Sequence, residues 1–428
     1  MAHLLWGGAD CVELARSFGT PLYVLDEAVI RARCAEVRRD FLSRWPGTDA
    51  CYASKAFVTR AMARIVDQEG LGLDVVSLGE LRTALSAGFP PERIELHGNA
   101  KSEVELRTAL EVGVGRIVVD SLMELDVLAD LAEEMGPAGA DPAARRAGGF
   151  RQHARLHRHG RVGSKFGLPL EGDLLFEAVR RGMARSGLDL LGLHFHVGSQ
   201  LFEPDAHLRS LVRVLEAAAE LRARLGFELR ELNFGGGYGA RSNPSESHVP
   251  IALFTDAMMG ALERECATRG LKRPVASIEA GRWIVSEAGI TLYRVEVVKE
   301  LPGLTYVAVD GGMADNPRRP LYGAVYEAVS AERPDAVADR SGSRVSVVGR
   351  CCESGDVLIE DARLPALRRG EVLAVFNTGA YTFSMASNYN RLCRPAVVLV
   401  RDGRADLIVR RETPEDLLAG DEIPDRLV

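Results

Sequence analysis

A lysine that ends a short apolar run is the first residue in this sequence with chemistry to offer. Cys51-Tyr52-Ala53-Ser54-Lys55-Ala56-Phe57 reads as a buried strand that stops on Lys55, followed by a helical pattern from Thr59 to Glu69. Desolvation at such a strand end lowers the pKa of an ammonium and leaves an amine nucleophile suited to a Schiff base. Taken alone, the stretch fits a solvated lysine at the start of a loop better, since lysines are common and mostly exposed.

Three further strand ends change that balance. His194-Phe195-His196-Val197-Gly198-Ser199-Gln200 places His194 and His196 on one side of a strand. The pair could bind a metal, although no third ligand or carboxylate lies nearby in sequence. Alternatively, one imidazole could lie flat on an aromatic ring while Gly198-Ser199 meets a phosphate. Asn233-Phe234-Gly235-Gly236-Gly237-Tyr238-Gly239 exposes backbone N–H groups that can wrap a phosphate, or is simply a tight turn. Glu279-Ala280-Gly281-Arg282 offers an acid able to hold a proton on a pyridine nitrogen and an arginine able to reach phosphate. Its plain alternative is an ordinary ion pair. One amine, one flat-ring contact, one phosphate cradle and one acid, all at strand ends, together describe pyridoxal phosphate on a barrel.

Later in the chain, Cys351-Cys352-Glu353-Ser354-Gly355-Asp356 sets a thiol beside a carboxylate in a glycine-containing turn. This could be a proton donor next to an amine binder, or a buried structural thiol. Gly379-Ala380-Tyr381-Thr382-Phe383-Ser384 follows another apolar strand.

The elements that must position these residues follow from periodicity. From Asp26, which can cap a helix running to about Leu42, strand and helix alternate as far as Arg282. Counting an uncertain stretch near residue 150, about eight βα units result, the number in a closed (β/α)8 TIM-type barrel. After Arg282 the runs Ile290–Lys299, Leu304–Val309, Arg344–Val348, Val372–Phe376 and Ala396–Val400 read as strands without helices between them, an all-β domain. The expected division is 31–282 for the barrel and 283–428 for the β domain, with 1–30 joining the latter through Leu22–Leu25.

Composition sets limits. A chain of 428 residues exceeds one ordinary core. A net charge of -7 with mixed signs gives no reason to expect nucleic acid or an anionic membrane as partner. No apolar run approaches a membrane span and the N-terminus lacks a signal-peptide pattern. Seven irregularly spaced cysteines suggest neither a disulfide framework nor a zinc site, so a cytoplasmic setting is expected.

The stretches YASKAF, LDVVSLGEL, HGNAKS, SKFG, HFHVGSQ, NFGGGYG, EAGR, VDGGMADNPRRPLYGA, CCESGDVL and GAYTFSMASNYN occur in order between about residues 20 and 400. In them the chain resembles the fold-type III pyridoxal-phosphate decarboxylases, specifically the branch acting on meso-2,6-diaminopimelate rather than on ornithine. The resemblance implies an alanine racemase-like architecture and a homodimer with active sites shared across its interface. It implies that Lys55 holds the cofactor and His196 stacks on its ring. Ser199, Gly236, Gly237, Gly281, Arg282 and Tyr381 would surround the phosphate, and Glu279 would keep the pyridine nitrogen protonated. Cys352, from the second subunit, would protonate Cα. Arg282, Arg318, Tyr322 and Tyr381 would bind the distal carboxylate end of the substrate, and Glu353 its distal ammonium. No metal is implied. The competing readings are a sibling decarboxylase of another amino acid and a non-catalytic, decarboxylase-like regulatory protein.

Two departures stand out. Alanine follows Glu279 where the family usually has proline. More seriously, residues 137–160 show no strand pattern where a barrel strand is due, and read as a basic surface loop. Read one nucleotide out of phase, with allowed codon choices, Ala143 to Gly160 becomes Leu-Arg-Val-Ala-Pro-Gly-Val-Ser-Gly-Ser-Thr-Arg-Ala-Tyr-Ile-Ala-Thr-Gly, which restores the family pattern. A compensated frameshift or sequencing error over this window is therefore the expectation.

Overall fold

The structure is a computed structural model that describes residues 2–135, 150–152, 165–170, 172–241, 246–336 and 344–428. It divides into two compact units. One comprises 32–240 with 248–284, the other 1–31, 241–247 and 285–428.

The first unit is a barrel of βα repeats. Among the described residues, eight strands form one parallel ladder in the order Arg116–Ile117, Ile94–Leu96, Gly72–Val75, Thr48–Ala53, Val275–Glu279, Glu231–Asn233, Gly192–Phe195, Phe150–Gln152. The two strands at the ends of this ladder are consecutive among the described strands. This is the order produced when a (β/α)8 sheet curls round on itself. Because every strand runs the same way, every C-terminal end lies on one face. Apart from Phe150–Gln152, the strands are mostly buried, as expected when helices cover a parallel sheet. The helices that follow are capped locally: Thr59, Ser77, Ser102 and Ser121 each accept a backbone N–H from the first turn.

One expectation is corrected here. The stretch from 137 to 160 does contain a strand, Phe150–Gln152, in parallel register with Gly192–Phe195. Three residues are too few to show a period, and the ladder's free edge supplies the hydrogen bonds that composition does not advertise. The rest of that window lies outside the described residues.

The second unit is built on a sheet with nine strands among the described residues. Its path runs Val357–Ile359, Arg344–Val348, Leu304–Val309, Gly289–Leu301, Leu22–Asp26, Ala396–Arg401, Arg404–Val409, with Val372–Val375 on Gly289–Leu301 and Ala328–Ser330 beyond it. Leu22–Asp26 is flanked on both sides: antiparallel to Gly289–Leu301 and parallel to Ala396–Arg401. The expectation of strands without helices fails at several points: short helical turns lie at Phe383–Met385, Tyr389–Arg391 and Pro414–Leu418, and Arg318–Tyr322 forms a single helical turn closed by Gly323 in the left-handed region. Pro317 and Pro320 disfavour a strand in this stretch, and a left-handed glycine ends a helix well. No helix among the described residues is long and apolar enough to cross a membrane.

Candidate active site

The barrel's C-terminal face carries the first cluster. Lys55 lies in a short helical turn, Ser54–Ala56, directly after the strand Thr48–Ala53. Its Nζ stands 4.0 Å from Oδ2 of Asp74, which lies inside the neighbouring strand Gly72–Val75 and is buried. Gly281 permits the close packing behind Lys55: a Cβ there would stand 2.9 Å from that of Ala53.

Glu279 ends the strand on the other side and is fully enclosed. His194 Nε2 lies 2.9 Å from its Oε1, and His97 Nε2 lies 3.2 Å from the same oxygen. The two imidazole rings meet edge to face at 4.9 Å. Burial alone would raise the Glu279 carboxyl. The two histidines and the Lys55 ammonium outweigh it and hold the group well below the ordinary carboxylate range. Behind them Glu95 faces His97 at 3.2 Å and accepts from Asn233 Nδ2 at 3.0 Å. Burial, then the charges of Glu279 and Asp49, push Glu95 up to about 8, so it is a neutral acid near pH 7.

The glycine turn lies beside this cluster. A Cβ at Gly236 would stand 2.3 Å from Glu279 O, and one at Gly237, where φ is +105°, 2.6 Å from Gly198 O. Only glycine lets this backbone approach so closely. Gly236 N donates to His196 Nδ1 at 3.2 Å, and Arg282 Nε donates to Ser199 Oγ at 3.4 Å. The structure therefore separates the two histidines that the sequence put on one side. His194 turns to Glu279, and His196 turns to the glycine turn. The groups that meet at Glu279 are His194 and His97, whose ligand atoms and that of Glu279 lie within 4.8 Å of one another.

The second cluster belongs to the other unit. The Arg318 guanidinium lies over the Tyr381 ring at 5.5 Å and 5.7 Å from the Tyr322 ring centre. Tyr381 holds a left-handed backbone, φ +60°, an uncommon conformation that concentrates at functional sites. Of the adjacent thiols, Cys351 is buried and pushed up to about 11, by burial first and then by Asp356. Cys352 is exposed, and its backbone N donates to Asn390 Oδ1 at 2.7 Å. The turn is pinned from beneath, because the Asp356 carboxylate accepts from Cys351 N at 2.7 Å and Met313 N at 2.6 Å. Glu353 is exposed beside Cys352.

Sequence reading missed Asp74, Glu95 and His97. Asp74 was visible as a lone acid inside an apolar strand, and His97 as a polar residue just past another. Their convergence on Lys55 and Glu279 was not visible, because it depends on register between strands.

A family model described as pyridoxal-dependent decarboxylase, pyridoxal binding domain, matches residues 27–286. The diaminopimelate decarboxylase of Bacillus subtilis (strain 168) is 44% identical over 418 residues, covering 97% of this chain and 94% of that protein. The diaminopimelate decarboxylase of Actinosynnema pretiosum subsp. auranticum is 46% identical over 430 residues, covering 97% and 92%. Among solved structures, diaminopimelate decarboxylase from M. jannaschii in complex with L-lysine superposes with a TM-score of 0.89 at 31% identity, covering 100% of this chain and 99% of that one. A strand-end lysine, an enclosed acid and a glycine turn on one barrel face agree with that kinship, and the chain belongs to the pyridoxal-dependent decarboxylases, in the diaminopimelate decarboxylase family.

Proposed function

We propose that the protein removes one α-carboxylate of meso-2,6-diaminopimelate, giving L-lysine and carbon dioxide, with pyridoxal phosphate as its cofactor. The observation that carries this reading is the enclosed Glu279, held ionised by His97 and His194 on the same barrel face as Lys55 and the glycine turn. An ionised acid without a bulk-water shell is suited to a pyridinium N–H. The glycine turn and Arg282 are suited to a phosphate dianion, so the residues present fit the group. When bound, pyridoxal phosphate supplies a ring that accepts the electron pair left when carbon dioxide departs.

The chain's own residues do the rest. Lys55 provides the amine that attaches the cofactor, with the Asp74 carboxylate 4.0 Å from its Nζ. Glu279 keeps a proton on the ring nitrogen. His196 covers one ring face. Ser199, Gly236, Gly237, Gly281, Arg282 and Tyr381 surround the phosphate. Arg318 and Tyr322, with Arg282 and Tyr381, hold the distal carboxylate, and Glu353 holds the distal ammonium. Cys352 delivers a proton to Cα once carbon dioxide has left, and its thiolate recovers one from water. Cys352 and Glu353 come from the second subunit of a homodimer. A reducing compartment such as the cytoplasm suits it, because Cys352 must remain a thiol.

The test is release of carbon dioxide and lysine from meso-diaminopimelate with cofactor added, against lysine, ornithine and arginine. Turnover confined to the diamino-diacid supports the reading. Faster turnover of a monocarboxylate overturns the substrate, and absence of any cofactor absorbance above 400 nm overturns the enzyme.

A further inference from the structure

The carbonyls of the glycine turn are all held from behind. Gly235 O accepts from the Tyr238 hydroxyl at 3.2 Å and from Glu279 N at 2.9 Å, and Gly237 O accepts from Leu201 N at 2.9 Å. Gly236 O is held by a side chain from a separate element: His207, in the first turn of the helix Asp205–Leu225, places Nε2 at 3.0 Å. His207 is fully buried, its ring stacked on Tyr238 at 5.3 Å with 5° between planes and edge-on to Phe254 at 5.8 Å. Its Nδ1 is buried without a hydrogen-bond partner. That pattern defines the neutral tautomer with the proton on Nε2. Burial also holds the imidazole down at about 4, so the donor stays constant across the physiological range.

A trans peptide is planar, with its C=O and the next N–H pointing opposite ways. Fixing Gly236 O against His207 therefore fixes Gly237 N–H away from it, out of the packed interior. Gly237 has no side chain to restrain it, and its φ of +105° lies in a broad glycine well. We propose that His207 is a positioning residue of the cofactor site, locking the Gly236–Gly237 peptide with its N–H directed at the phosphate. The inference rests on the reading of Gly236 and Gly237 as the phosphate cradle.

The experiment compares His207→Phe, His207→Gln and Gly237→Ala as full-length apoenzymes titrated with pyridoxal phosphate, with melting curves recorded for each. Phe keeps the ring volume and the stack but deletes the donor. Gln returns an N–H close to the position of Nε2. The expected result is a cofactor Kd raised about five- to tenfold in His207→Phe, the loss of one neutral hydrogen bond. Gln should recover most of it, and substrate KM at saturating cofactor should change less than about twofold. A Phe variant that folds and binds cofactor like the wild type overturns the role of His207, as does a Gln variant as weak as Phe. If Phe does not fold, the Gln variant decides alone: near-native Kd supports the proposal and a tenfold loss overturns it. Gly237→Ala separates the two levels. If it weakens the cofactor while His207→Phe does not, only the His207 inference falls. If it leaves Kd unchanged, the cradle reading falls and His207 with it.

Discussion

The Glu279 carboxylate stands 2.9 Å from His194 Nε2 inside the barrel, and both side chains are buried. A lone carboxylate in that position would take up a proton, and a neutral acid could not hold the ring nitrogen protonated. The imidazoles keep it ionised. His194→Phe should therefore raise the Glu279 pKa and move the acid limb of the kcat/KM profile to higher pH. Glu279→Gln should lower kcat by on the order of 100-fold or more at every pH. The check is a pH–rate series on both variants. An unmoved acid limb in His194→Phe would show that His97 and Lys55 suffice.

Shared sites can be tested by mixing two inactive proteins. Lys55→Ala should lose the cofactor absorbance above 400 nm, and Cys352→Ala should keep it while losing turnover. If Cys352 serves the partner's Lys55, unfolding and refolding the two together should restore up to about a quarter of wild-type activity through heterodimers with one intact site. No recovery from a mixture that does form heterodimers would place both residues in one subunit's site.

Arg318 can be separated from the cofactor. Arg318→Ala should raise KM for meso-diaminopimelate by on the order of ten- to a hundredfold, because a bidentate contact to the distal carboxylate is lost. The cofactor Kd should hardly move. An equal loss in cofactor binding would place Arg318 at the phosphate instead.

Glu95 makes stability depend on pH. Its folded pKa of about 8 lies above its unfolded value of 4.5, so the folded state binds the extra proton. The associated stability is complete below about pH 4.5 and disappears as pH rises through about 8. Between about pH 6.5 and 8.5 the wild-type melting temperature should fall relative to that of Glu95→Gln, which cannot ionise. Parallel melting curves for the two proteins would show that Glu95 is already charged near neutrality.

What the sequence discloses and what it hides differ for physical reasons. Lys55, the glycine turn and Glu279 follow apolar strands, and a position after a strand is a property of consecutive residues. His97, Asp74 and Glu95 act only because Leu73 pairs with Ile94 and Glu279 with Cys51, and such register leaves no local mark. The split of His194 from His196 was hidden too, since alternation gives the side of a strand but not which neighbour a ring meets. The helical turn that carries Arg318 and Tyr322 was overlooked because a stretch rich in proline lacks helical periodicity. If a frameshift over residues 143–160 replaced the ancestral strand, a variant carrying the repaired peptide should melt higher than the present chain, and resequencing will show whether the DNA can encode it.

Leu22–Asp26 leaves the ribosome long before one of the two strands that enclose it, Ala396–Arg401, has been made. Until then it is an apolar segment waiting for its place in the middle of a sheet, while the barrel in between can already have formed. The second unit therefore cannot complete itself until Ala396–Arg401 has been made, and closing so long a loop is expected to be slow. Chains stopped anywhere before Ala396 should be handed to chaperones or proteases with a finished barrel and an open sheet.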